Sequence, residues 1–150
     1  MAKALSENKS FGKIYTFDLI EHTNKYTWNN ICDLDDLVSR EEMLKDWKYL
    51  IDEFIVFISG FSHINLKNMH FGRINFAFID GSHYGHDIDY EFNYISNFQH
   101  KGDQILFDDF DNDTYKSLTN KINELCKKLN YKKSFIAGNN SRNYLLATKS

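Results

Sequence analysis

The sequence predicts an α/β fold, a mostly parallel sheet with helices on both faces, closed by an antiparallel hairpin at the carboxyl end. Three observations carry this. Short runs rich in β-branched and aromatic residues alternate with amphipathic stretches of helical period. The runs are near-continuously apolar, as expected of parallel strands covered on both faces. The last two runs are joined by a polar loop of turn formers.

The first strand runs from Ile14 to Leu19. Ser39 followed by Glu42 forms a capping box, because each side chain can satisfy a backbone donor of an opening helical turn. Met43, Trp47, Leu50 and Phe54 then recur at helical spacing and predict one helix leading into a strand from Phe54 to Ile58. Ile74 to Ile79 is the third strand, and Ile88, Phe92, Ile95 and Phe98 mark the helix after it. Lys101-Gly102-Asp103 is the turn that closes this helix, and Ile105 to Phe107 is the fourth strand. Leu118, Ile122, Leu125 and Leu129 form the next helical stripe. Lys133 to Ala137 and Tyr144 to Thr148 flank Gly138-Asn139-Asn140-Ser141-Arg142-Asn143 as the terminal hairpin. Strand and helix alternate throughout, which implies right-handed crossovers. No repeat or linker divides the chain, so residues 1–150 read as a single domain.

Bulk properties narrow the function. With 42% hydrophobic and 26% charged residues the composition is globular, not disordered. The formal net charge of -3 and the scattered lysines give no basic footprint for a phosphate backbone, so no nucleic acid partner is expected. No apolar run reaches the ~20 residues of a membrane helix, and Met1-Ala2-Lys3 opens no signal-peptide core, so a cytoplasmic protein with no membrane partner is expected. Cys32 and Cys126 lie far apart without metal-ligand spacing and read as reduced thiols.

Ligands of open α/β sheets bind beyond the carboxyl ends of the strands, and here that edge is acidic. The first strand ends at Asp18-Leu19 with Glu21 just beyond, the third at Asp80-Gly81-Ser82-His83, and the fourth at Asp108-Asp109. Any one of these residues is explained as a strand exit or helix cap. The set is not, because the adjacent carboxylates of Asp108 and Asp109 repel unless a cation or donors compensate, and a hard divalent ion is an economical compensator. His83, three residues past Asp80, is either a general base beside such a metal or an exposed loop histidine. His22, His63, His70, His86 and His100 show no ligand spacing.

The stretch Ile74-Asn75-Phe76-Ala77-Phe78-Ile79-Asp80-Gly81-Ser82-His83, then a helix, Lys101-Gly102-Asp103 and Ile105-Leu106-Phe107-Asp108-Asp109, resembles the class I S-adenosylmethionine-dependent methyltransferases. The nearest branch is that of macrolide-sugar O-methyltransferases and cephalosporin-hydroxylase-like proteins, and the resemblance covers nearly the whole chain. It implies a Rossmann-like methyltransferase sheet, Mg2+ or a similar ion held by Asp80, Asp108 and Asp109, His83 as base, and Asp18 on the cofactor ribose. The implied reaction is O-methyl transfer to a sugar or other small hydroxylated acceptor. Two departures stand out. Lys101-Gly102-Asp103 replaces a Gly-Gly turn, and Met1 to Glu7 looks like the end of the family's first helix. The family's first strand and glycine-rich cofactor loop would then lie upstream of this sequence. In the family that strand sits between those at residues 13–19 and 74–80. Its absence would leave unpaired strand edges, self-association through them, and weak cofactor binding. The rival readings are an inactive methyltransferase remnant that acts as a binding module and a metal-dependent phosphatase or hydrolase.

Overall fold

Residues 1–27, 37–81, 85–111, 113–138 and 143–150 are described by a computed structural model of the chain. They fall into two compact units, Met1–Asn65 and Leu66–Ser150. Among the described residues no helix is long and apolar enough to cross a membrane.

In the amino-terminal unit, helix α1 (Ala2–Glu7) precedes strand β1 (Ile14–Asp18). β1 pairs in parallel with β4 (Ile55–Ser59), with Ile14 opposite Ile55 and Asp18 opposite Ser59. A two-residue antiparallel ladder, β2 (Lys25–Tyr26) with β3 (Val38–Ser39), leads into helix α2 (Arg40–Met43). The capping box forms in full. Glu42 N–H donates to Ser39 Oγ at 3.0 Å, and Ser39 N–H donates to Glu42 Oε2 at 2.8 Å.

The single helix expected across Met43 to Phe54 is split. α2 ends at Met43, a 3-10 turn occupies Lys45–Trp47, and α3 (Lys48–Phe54) runs directly into β4. Only the carboxyl half of the apolar stripe, Leu50 and Phe54, is buried, while Trp47 is exposed. Helical spacing holds a continuous helix when its whole stripe has a surface to cover, and here half of it does. A short helix that the sequence reading did not include, α4 (Ser62–Leu66), follows β4.

In the carboxyl-terminal unit the strands β5 (Phe76–Ile79), β6 (Gln104–Phe107), β7 (Tyr131–Ala137) and β8 (Asn143–Lys149) form one sheet in the order β5-β6-β8-β7. β5 and β6 are parallel, and β8 is antiparallel to both β6 and β7, so the parallel strands and the closing antiparallel hairpin expected from the sequence are present. Helices α5 (Gly85–Asn97) and α6 (Lys116–Lys128) bury Ile88, Phe92 and Ile95, and Leu118, Ile122 and Leu125, against Ile105, Phe107, Leu145 and Ala147. The turn after α5 reverses at Gly102, whose φ of 90° suits a residue without a Cβ. Asn130, with φ 62°, ends α6 in the left-handed conformation that Asn tolerates.

Among the described residues β1 has one strand partner, β4, and β5 has one, β6. Phe76 and Phe78 of β5 are exposed.

Candidate metal centre

The parallel register of β5 and β6 sets Ile79 opposite Phe107, so Asp80 and Asp108 leave the sheet side by side. One further backbone bond, from Asp108 N–H to Ile79 O at 3.0 Å, holds the two exits together. Consecutive side chains of an extended strand point to opposite faces. Continued β geometry would therefore separate the carboxylates of Asp108 and Asp109. Asp109 instead has φ 52°, in the left-handed region, and the alternation breaks there. Asp109 N–H donates to Asp108 Oδ1 at 2.8 Å. As a result one carboxylate oxygen from each of Asp80, Asp108 and Asp109 lies within 4.8 Å of the other two.

That spacing fits a hard cation. Its oxygen ligands sit about 2.0–2.6 Å from the ion, so ligands on opposite sides are about 4–5 Å apart. The donor set is all oxygen, as magnesium and calcium prefer. Asp108 is buried, Asp109 half-buried and Asp80 exposed, so the cluster has a dry side and a wet side. Ile79, Ile88, Phe107, Leu118 and Ile122 line the cavity that the three aspartates share. An apolar floor lowers the local dielectric and strengthens attraction for a cation.

The next acidic residue serves the backbone. Asp111 Oδ1 accepts from the N–H groups of Asp113 at 2.7 Å and Thr114 at 3.3 Å, and Asp111 O accepts from Thr119 Oγ1 at 3.0 Å. These bonds anchor the loop that leads into α6. Phe110 N–H donates to Asn143 O at 3.0 Å, tying the same loop to β8.

Of the sequence-predicted residues, Asp80, Asp108 and Asp109 come together, and His83 lies outside the described residues. Asp18 belongs to the other unit, at the carboxyl end of β1. Its Oδ1 accepts from Ile20 N–H at 2.9 Å, and its Oδ2 accepts from Arg40 Nη2. Gly60 N–H donates to Asp18 O at 2.8 Å, joining the ends of β1 and β4. Arg40, absent from the sequence reading, is the charged partner of Asp18 from 22 residues away, at the first position of α2. No local pattern announces such a pair. The one available signal is the capping box, which fixes where α2 starts.

A family model described as "Methyltransferase domain" matches residues 1–110, ending just past the acidic pair. No curated protein sequence matches the chain. Among solved structures it is similar to the O-methyltransferase TomG of Streptomyces achromogenes, solved with SAM, at 13% identity and a TM-score of 0.63. That match covers 93% of this chain and 62% of TomG. It is also similar to an rRNA methylase of Streptococcus thermophilus, at 16% identity and a TM-score of 0.60, covering 91% of this chain and 73% of that one. A Klebsiella pneumoniae structure assigned to the O-methyltransferases matches at 13% identity and a TM-score of 0.60, covering 74% of this chain, and the match spans 56% of that protein. At these identities the likeness is one of fold. The family model covers well over half of the chain and includes all three strands that end in the acidic residues described above, and the chain therefore belongs to the methyltransferase-domain family.

Proposed function

We propose that this chain serves S-adenosylmethionine-dependent, divalent-metal-assisted methyl transfer to a hydroxyl of a small metabolite, a sugar with neighbouring hydroxyls being the best-fitting class. The observation that carries the reading is the convergence of Asp80, Asp108 and Asp109 within 4.8 Å. The methyltransferase-domain match supports methyl transfer over phosphoryl chemistry at the same acidic edge, and the similarity to a SAM-bound O-methyltransferase supports the cofactor.

A sulfonium methyl needs a nucleophile aligned behind it, so the protein's work is positioning, charge stabilisation and removal of a proton. Asp80, Asp108 and Asp109 would hold the metal. A bound divalent ion supplies Lewis acidity, lowering the pKa of a hydroxyl beside it. S-adenosylmethionine, when bound, would supply the methyl group to the acceptor oxygen, its sulfur leaving with the carbon–sulfur electron pair as a neutral thioether. The hydroxyl proton would go to His83, an imidazole being the side chain suited to take a proton near neutral pH. Asp18, at the end of β1, accepts hydrogen bonds from the cofactor ribose.

Calorimetric titration with Mg2+ or Ca2+ tests the metal site. The wild-type chain should bind one ion, and Asp108→Ala should lower affinity at least about tenfold, since a hard cation loses one of three charged ligands. Undiminished binding by Asp108→Ala would sink the shared site.

A further inference from the structure

We propose that Arg40 is a positioning residue for the cofactor, clamping Asp18 so that its carboxylate forms a fixed, charge-neutral acceptor pair for a vicinal diol, the ribose of S-adenosylmethionine. The inference rests on the reading of Asp18 as the ribose acceptor and adds how that acceptor is oriented.

Exposed ion pairs are mobile and contribute little, and this one is built differently. The Arg40 side chain is only 12% exposed while that of Asp18 is 39% exposed. The guanidinium carbon lies 5.5 Å from the centre of the Phe57 ring, and His22 stacks on the same ring at 3.9 Å. Arg40 Nη1 also donates to Ile20 O at 3.5 Å, and Glu41 N–H donates to His22 O at 3.2 Å, so the start of α2 is tied to the loop after β1 at two points. Burial and the nearby Arg40 charge push the His22 pKa down, which keeps that ring neutral beside the pair.

The consequence is chemical. Each Asp18 oxygen spends one lone pair inside the protein, Oδ1 on Ile20 N–H and Oδ2 on Arg40, and the carboxylate cannot rotate without breaking one of them. Each oxygen keeps a second acceptor site, and the partial exposure of the group leaves room to approach it. Two parallel acceptors suit two adjacent hydroxyl donors. The positive charge of Arg40 offsets that of the carboxylate, so the pair favours neutral donors over a cation, in contrast to the three converging aspartates of the other unit.

The test is titration with S-adenosylhomocysteine and with its 2′-deoxyribose analogue, followed by NMR up to millimolar ligand, with thermal melts of every variant. Arg40→Ala should weaken S-adenosylhomocysteine about tenfold and leave the 2′-deoxy analogue unchanged, because the analogue lacks the second donor. Arg40→Lys should recover part of the loss. Equal weakening of both ligands by Arg40→Ala, or none, would overturn the positioning role while leaving the cofactor site standing. Wild-type affinity insensitive to Asp18→Ala, or no wild-type binding at millimolar ligand, would instead refute the ribose reading itself and the inference with it.

Discussion

The two units are held together by different physics. Every member of the main buried cluster, from Ile79 to Ala147, belongs to the carboxyl-terminal unit, where Phe92 is fully buried between the rings of Phe107 at 5.1 Å and Tyr131 at 4.9 Å. Among the described residues of the amino-terminal unit the buried apolar residues are Leu50 and Phe54, and its order rests on directional contacts: the Ser39–Glu42 box, the Asp18–Arg40 pair, and Arg40 with His22 on Phe57. Apolar burial is non-directional and insensitive to pH, whereas caps, ion pairs and a half-buried imidazole depend on geometry and protonation. The cluster of Asp80, Asp108 and Asp109 therefore stands on a base set by packing, and the Asp18–Arg40 pair on one set by polar chemistry.

Substitutions can break that contrast. The largest effect expected is at Phe92. Phe92→Ala should remove about 3–5 kcal/mol through lost transfer energy and a cavity, read as a fall in the urea midpoint. A loss under about 1 kcal/mol would mean that the aromatic cluster is not the main source of stability. Ser39→Ala in the other unit should cost about 1 kcal/mol, the usual worth of an amino-terminal cap. Hydrogen exchange should register it first in the α2 amides, and unaltered exchange there would show that the box is dispensable.

The smallest effect concerns pH and His22. Burial first, then Arg40 and Lys48, lower its pKa below 6.5, with Glu41 opposing. The folded form thus binds fewer protons than the unfolded form just below that value. Stability from this group is complete above the unfolded pKa and declines as pH falls through the interval down to the folded pKa. His22→Phe, which keeps a ring on Phe57, should flatten the dependence of stability on pH just below about 6.5. A slope that survives would assign it to other groups.

The elements most legible in the sequence are those whose period matches a buried face. Ile88, Phe92 and Ile95, and Leu118, Ile122 and Leu125, lie where helical spacing puts them because the sheet gives each stripe something to cover. The split between α2 and α3 was hidden because spacing alone does not say that Trp47 stays exposed. The ladder of β2 with β3 is two residues long, too short to leave a pattern. At the site, the acidic strand exits were readable as composition at the ends of apolar runs. Their meeting was less so, since it depends on a left-handed backbone at Asp109 that no neighbouring residue demands. Arg40 was invisible for another reason: its partner is 22 residues away, and long-range ion pairs carry no local signature.

The backbone at Asp109 also bears on how this chain can change over time. A non-glycine residue in that conformation carries a penalty on the order of 1 kcal/mol that glycine would not. Selection for stability alone would therefore drift the position toward glycine, and each such step would strip one carboxylate from the cluster. An aspartate kept there is a residue for which folding and chemistry have opposed interests. In any set of natural variants, that position is where loss of the third converging carboxylate would arrive disguised as a more stable protein.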